Sequence, residues 1–113
     1  MGYFETQAPE ALDFKEVLYE KADWVAKITI NRPFNYNAYS TPALRELAAA
    51  FQDAAFDDKI GVIVYTGAGD KAFCTGGDVK EYEALYTEKP RDYWKHMGLF
   101  QAYIESIGNP GKP

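Results

Sequence analysis

Residues 72–79 read Ala-Phe-Cys-Thr-Gly-Gly-Asp-Val and follow an apolar run, Ile60-Gly61-Val62-Ile63-Val64-Tyr65. That order predicts a strand, a glycine-rich bend and then a polar residue able to cap a helix. A backbone bent in this way points bare N–H groups at an anion or at a polarised carbonyl. Gly76 and Gly77 permit close approach of a ligand or a positive φ. Asp78 can accept from the first amides of the next helix, whose N-terminal dipole favours negative charge. The same tripeptide also reads as a plain strand-to-helix turn with Asp78 as its cap, and local pattern leaves both readings open.

The other candidates are weaker. Gly67-Ala68-Gly69-Asp70-Lys71-Ala72 matches the G-x-G-x-x-G/A dinucleotide fingerprint. A working fingerprint opens a helix at once, whereas this one runs on through Phe73 to Gly77 and reads as a turn after the strand. Cys74 has no His or Lys beside it to activate a thiolate, so it reads as a small packed residue. His96 is the single histidine. It falls off the main apolar stripe of its helix, which predicts a solvated or rim position, and one histidine makes no metal cluster. Glu81, Glu83 and Glu88 serve as acids or bases only if buried, and a short surface helix is the plainer expectation. Tyr82 and Tyr86 share a helix face near the bend, as core or as a pocket wall.

Composition narrows the classes. At 113 residues with 47% hydrophobic content and 16% aromatics, the chain suits one small ordered domain. A net charge of -5 argues against a nucleic-acid partner. It leaves room for a phosphorylated small molecule held by backbone amides and one or two lysines. The single cysteine allows no internal disulfide and fits a reducing compartment. No stretch reaches the roughly 18 to 20 apolar residues of a membrane span, and residues 1–13 lack the pattern of a signal peptide. The expectation is a cytoplasmic protein.

The elements that must position the bend follow from periodicity. Residues 1–15 are expected to form a loose arm. Glu16–Glu20 and Trp24–Ile30 read as an antiparallel hairpin turning at Ala22-Asp23, with Trp24, Ala26, Ile28 and Ile30 on one face. Asn31-Arg32-Pro33 ends it. Thr41 reads as an N-cap with Pro42 at the first helical position, and Leu44, Leu47, Ala48, Phe51 and Ala55 give the helix one apolar stripe up to Asp57-Asp58. Ile60–Tyr65 reads as a parallel strand covered on both faces. Strand, helix, strand is the βαβ pattern of an α/β fold. A short helix over about Val79–Tyr86 follows. A longer one opens at Pro90, with Tyr93, Met97, Phe100, Ile104 and Ile107 as its stripe. One hairpin and one central strand leave the sheet looking unfinished.

These segments together resemble a known family. Trp24-Val25-Ala26-Lys27-Ile28-Thr29-Ile30-Asn31-Arg32-Pro33, then Asn37-Ala38, the Leu44–Leu47 helix, Val62-Ile63-Val64-Tyr65-Thr66-Gly67 and Lys71 to Asp78 resemble the N-terminal part of the crotonase (enoyl-CoA hydratase/isomerase) superfamily. The likeness covers residues 16–113 as a partial crotonase-like domain, a hairpin plus βαβ at the start of a ββα superhelix, followed by amphipathic helices. It implies an acyl-CoA thioester as substrate, with water added to an enoyl or oxo-alicyclic acyl group. The Gly77 N–H would be one of two donors to the thioester oxygen as it gains charge, and losing one such donor typically costs about 2.7 to 4 kcal/mol. Backbone groups of Thr75 and Val79, beside Gly76 and Asp78, would flank the adenine, and the Tyr36–Ala38 loop would lie along the CoA. No metal or redox cofactor is implied beyond the coenzyme A of the substrate. Phe73 to Gly77, Lys80-Glu81-Tyr82 and the Tyr93-Trp94 and Phe100 segment are similar to the 6-oxocyclohex-1-ene-1-carbonyl-CoA hydrolases of anaerobic aromatic degradation, and to alicyclic acyl-CoA hydrolases and dihydroxynaphthoyl-CoA synthases.

Family members run to about twice this length or more. The resemblance therefore implies that the second oxyanion donor, the acid and base groups and the helices that build trimers or hexamers follow Pro113. The chain is then expected to be an N-terminal fragment, inactive alone and prone to self-association. The alternative is a free-standing, non-catalytic α/β module that binds CoA or a protein partner.

Overall fold

The computed structural model describes residues 3–113, so Met1 and Gly2 of the expected arm lie outside the described residues. The elements are α1 (Pro9–Leu12), β1 (Val17–Ala22), β2 (Val25–Ile30), a 3-10 turn (Pro33–Asn35), α2 (Thr41–Phe56), β3 (Val62–Gly67), α3 (Val79–Glu81), a π-helical turn (Tyr82–Tyr86) and α4 (Pro90–Gly108). Residues expected as a loose arm hold the one-turn α1. Leu12 and Phe14 pack on the core, and the Gln7 amide donates to Asp53 Oδ1 at 2.8 Å.

β1 pairs antiparallel with β2, from Val17 opposite Ile30 to Ala22 opposite Val25. The turn is therefore Asp23-Trp24 rather than Ala22-Asp23. Both residues have positive φ, 53° and 70°, the geometry that matches strand twist in a two-residue hairpin. Trp24 leaves the face of Ala26, Ile28 and Ile30 and stands 66% exposed. Its carbonyl accepts the Gly61 amide at 2.8 Å, which fixes the approach to β3.

β3 lies parallel to β2, Val25 opposite Val62 through Ile30 opposite Gly67, and the strand order is β1-β2-β3. The βαβ unit expected from the sequence is present. Its last strand is not covered on both faces, however. Ile63 and Tyr65 pack on the core, while Val62 and Val64 are 40% and 41% exposed. The described helices gather on the other face of the sheet, so the apolar run of β3 is only half used.

The start of α2 also differs from expectation. Ser40 is the N-cap, its Oγ accepting the Ala43 amide at 3.2 Å, and Thr41 is the first helical residue. Thr41 is thereby released for another task. The buried stripe is Ala43, Leu44, Leu47, Ala50, Phe51 and Ala54, with Ala48 and Ala55 only half-buried. At the other end Lys112 Nζ donates to the carbonyls of Ala54 and Asp57 at 2.8 and 2.6 Å. These are among the carbonyls a helix end leaves without partners.

The packing face of α4 is the largest departure. Of the expected stripe only Phe100 packs on the core, while Tyr93, Met97, Ile104 and Ile107 are 39 to 48% exposed. The buried residues are His96 and Tyr103, with Leu99 and Phe100 packed against the core. Those positions are spaced three, one and three apart, an equally good helical stripe. Tyr103 donates or accepts at Tyr65 across 2.8 Å, so polar tips and aromatic bodies on this face find partners in β3 and α2. No helix among the described residues is long and apolar enough to cross a membrane.

A buried charge cluster ties the hairpin to α2. Lys21 Nζ lies 2.6 Å from Asp53 and 2.7 Å from Asp57, and the Tyr19 hydroxyl donates to Asp53 at 2.6 Å. Burial alone would lower the Lys21 pKa, but the hydrogen bonds to Asp53 and Asp57 outweigh it and raise it. Replacing one partner of such a cluster strands the others. Lys21→Met is expected to lower stability by about 3 kcal/mol, read as a fall in the urea midpoint with little change in slope.

Candidate functional site

The loop after β2 and the loop after β3 are stitched together by Asn37. Its Oδ1 accepts the Arg32 amide at 2.9 Å, and its Nδ2 donates to the carbonyls of Ala68 and Ala72 at 2.9 and 2.7 Å. Asn37 is 1% exposed and takes a positive φ of 59°, a conformation asparagine tolerates better than most residues. Tyr36, at φ 52°, is thrown outward and is 53% exposed. Its carbonyl accepts the Thr75 hydroxyl at 3.2 Å. A small cavity of about 120 Å³ lies between the two loops, bordered by Pro33, Tyr36 and Lys71. The fingerprint-like run Gly67–Ala72 is thus a pinned loop, and the next helix opens only at Val79.

The glycine bend is held from both sides. Tyr39 and Gly77 form a parallel bridge. Its bonds run from the Tyr39 amide to the Gly76 carbonyl at 2.9 Å and from the Asp78 amide to the Tyr39 carbonyl at 3.0 Å. Because these bonds use the groups before and after Gly77, its own N–H and C=O point to the opposite side. The Gly77 N–H finds no hydrogen-bond partner among the described residues. Gly76 turns at φ 104°, a value that favours glycine. At Gly77 a side chain would strike the hydroxyl end of Tyr82 and would have to displace that ring.

Asp78 anchors this arrangement. One carboxylate oxygen accepts the amides of Lys80 and Glu81 at 3.0 and 3.3 Å, which starts α3. The other takes the Arg32 guanidinium at 2.7 Å, and Arg32 also reaches Glu16 at 2.9 Å. The expected helix cap is therefore present, and it is also one half of a buried ion pair.

Beside the bend lies a polar cluster that the sequence reading did not find. Glu81, half-buried, accepts the Thr41 amide at 3.0 Å and the Thr41 hydroxyl. Thr41 Oγ1 also meets the Tyr86 hydroxyl at 2.5 Å and His96 Nδ1 at 2.9 Å. The other imidazole nitrogen, Nε2, lies 3.1 Å from the Tyr82 hydroxyl. The proton order follows from counting donors. A carboxylate only accepts, so the single Thr41 hydroxyl proton goes to Glu81. Thr41 Oγ1 then accepts from His96 Nδ1–H, and the Tyr86 hydroxyl lies between Thr41 Oγ1 and Glu81 Oε1, at 2.5 and 3.2 Å, with its proton shared by these two acceptors. That assignment, made from the bonding pattern, leaves Nε2 as an acceptor for the Tyr82 O–H.

His96 is 1% exposed and enclosed by the rings of Tyr82, Tyr86 and Tyr93 at 5.1, 5.5 and 6.0 Å. It is no rim residue. The spacing His96, Leu99, Phe100, Tyr103 carried the signal, but a second apolar stripe on the same helix masked it. Glu81 is likewise drawn off the surface, through a contact with a residue forty positions earlier that no local pattern reveals. Of Tyr82 and Tyr86, left open between core and pocket wall, neither belongs to the apolar core, and Tyr86 borders a cleft of about 760 Å³ together with Thr41, Arg45, Lys89, Lys95 and His96. Burial, then the neighbouring Tyr82, pushes the Tyr39 phenol up to about 12.

The expected site residues fall in one region. Thr75 and Val79 are exposed and Ala38 and Asp78 are buried, while Gly76 and Gly77 are half-buried between them. Cys74 packs against the core.

Comparison with known proteins gives a consistent picture. The family model described as enoyl-CoA hydratase/isomerase matches residues 20–110. A 6-oxocyclohex-1-ene-1-carbonyl-CoA hydrolase of Geobacter metallireducens is 40% identical over 82 residues, covering 73% of this chain and 22% of that protein. One from Syntrophus aciditrophicus is 39% identical over 88 residues, covering 78% and 23%. The chain thus spans less than a quarter of the curated relatives it matches. Among solved structures, an enoyl-CoA hydratase/carnithine racemase from Magnetospirillum magneticum superposes with a TM-score of 0.78 at 27% identity, covering 88% of this chain and 37% of that one.

Burial lowers the His96 pKa below its ordinary 6.5, and Glu81 only partly opposes this. The folded chain then resists a proton that the unfolded chain accepts. This contribution to stability is full above pH 6.5 and is lost as pH falls from 6.5 through the lowered folded value. The urea midpoint should decline across that window. His96 is the single histidine, so His96→Gln should flatten the decline.

Proposed function

We propose that this chain, which belongs to the enoyl-CoA hydratase/isomerase (crotonase) family, binds an acyl-CoA thioester and polarises its carbonyl at the Gly77 N–H. The observation that carries the reading is the orientation of that amide. The bridge to Tyr39 spends the neighbouring groups of Gly76 and Asp78 and leaves the Gly77 donor facing away, in a half-buried position. A fixed N–H aimed at developing negative charge costs little reorganisation when the charge appears, which is how an oxyanion hole works.

The rest of the ligand follows from the surrounding loops. Backbone groups of Thr75 and Val79 flank the adenine, and residues 36–38 run along the CoA. The bond from the Thr75 hydroxyl to the Tyr36 carbonyl, which brings the two segments together, supports this. The names of the curated relatives support a ring-opening reaction in which water adds to an oxo-alicyclic CoA thioester. We assign this to the protein in a cytoplasmic route of aromatic degradation, with a second oxyanion donor and further helices completing a homo-oligomeric enzyme. The exposed apolar side chains of α4, such as Trp94 and Ile104, fit such an assembly.

A carbonyl-seeking donor discriminates between ligands that differ only at the carbonyl. Calorimetric titration is expected to show crotonyl-CoA binding about tenfold (about 1.4 kcal/mol) more tightly than the thioether in which that carbonyl is a methylene. Equal affinity for the two would contradict the role of Gly77.

A further inference from the structure

Tyr82 stands between two things: its hydroxyl occupies the space where a side chain of Gly77 would go, and it bonds His96 Nε2 at 3.1 Å. The chain of donors runs from Tyr82 to His96, from His96 Nδ1–H to Thr41, and from Thr41 to the Glu81 carboxylate. Its open end is the Tyr82 oxygen, whose lone pairs are free to accept beside the Gly77 donor. We propose that Tyr82 and His96 form a proton relay that takes up the proton lost when an acyl-CoA bound at Gly77 becomes its enolate. The inference rests on the thioester reading above and adds the base to it.

The step balances. The α-carbon–hydrogen bond breaks and its proton passes to the Tyr82 oxygen. The phenolic proton of Tyr82 passes to His96 Nε2. The electron pair left on carbon spreads to the thioester oxygen, held by the Gly77 N–H. His96 becomes an imidazolium that still donates from Nδ1 to Thr41, with Glu81 as its countercharge. The reverse sequence returns the proton. Three features of the fold agree with this use. His96 is buried at 1% exposure with both nitrogens engaged, so the chain from Tyr82 through the imidazole to Thr41 is continuous and shielded from water. The turn that carries Tyr82 and Tyr86 is π-helical, a rare geometry that recurs at functional sites. Burial, then Tyr93, Glu81, Tyr86 and Asp78, keeps the Tyr82 phenol above its ordinary 10, so it conducts a proton without resting as a phenolate. The charged groups of the adjoining cleft, Arg45, Glu88, Lys89, Asp92 and Lys95, are mixed in sign.

Acetoacetyl-CoA is a suitable probe, because its methylene lies between two carbonyls and its enolate absorbs in the near ultraviolet. In protein carrying ¹⁵N-labelled histidine, free His96 should show one protonated and one bare nitrogen, with the proton on Nδ1. Saturating acetoacetyl-CoA at neutral pH should produce the enolate band and protonate both nitrogens. Tyr82→Phe keeps the ring over Gly77 but should cut the enolate fraction about tenfold and leave His96 neutral. Thr41→Ser should preserve both signals, and Thr41→Val should lose them. A bound ligand that keeps its proton, an enolate formed while His96 stays neutral, or a full enolate band in Tyr82→Phe would overturn the relay and leave the thioester reading standing. Failure of the wild-type protein to bind acetoacetyl-CoA would overturn both.

Discussion

The buried pair between Asp78 and Arg32 is the contact on which the rest of the site depends. Asp78 Oδ2 lies 2.7 Å from the guanidinium, and Arg32 is 7% exposed, its Nε without a partner among the described residues. Among those residues, Asp78 and Glu16 are the carboxylates paired with that charge. The other oxygen of Asp78 caps α3, and its backbone amide closes the bridge to Tyr39. A cap is worth about 1 kcal/mol, whereas stranding one member of a buried pair costs about 3 to 5 kcal/mol. The ion pair therefore decides where the bend sits. Gly77 faces outward because its two neighbours are committed, and they are committed because Asp78 is anchored at the end of β2.

A second consequence concerns the helices. α3 and the π-turn begin where Asp78 places them, and α4 docks on α2 through His96, Leu99 and Tyr103. The polar cluster of Thr41, Glu81, Tyr86 and His96 is the joint between the two. Its strength comes from being fully connected: each buried polar atom in it has a partner, which in a weakly solvated interior is the difference between a rigid junction and a costly one. The price of that connectivity is sensitivity, since loss of Thr41 Oγ1 unseats three partners at once.

How much of this was legible beforehand varied with the range of the interactions. Alternation in Ala26, Ile28 and Ile30 and the helical spacing of Leu44, Leu47 and Phe51 are short-range signals, and the hairpin, βαβ unit and helix order follow from them. The hairpin turn was misplaced by one residue because two non-glycine residues accept positive φ there. Ser40 and Thr41 are both good caps, and the choice was settled by Glu81 from far along the chain. The α4 face was misread because two apolar stripes coexist on one helix, and the sheet and α2 select the one containing a histidine. The bend at Gly76-Gly77-Asp78 was legible as a motif, and the tyrosine–histidine chain beside it was not, because it is assembled from four separate elements, α2, α3, the π-turn and α4.

The central claim is that the Gly77 N–H is held ready for a thioester oxygen. The most direct test is amide hydrogen exchange at Gly77, followed by NMR with and without crotonyl-CoA. The account predicts fast exchange in the free protein, beside slow exchange at the bonded Tyr39 and Asp78 amides, and strong protection with a downfield shift of the Gly77 proton when the thioester binds. Protection of Gly77 without ligand, or exchange indifferent to the thioester, would contradict it.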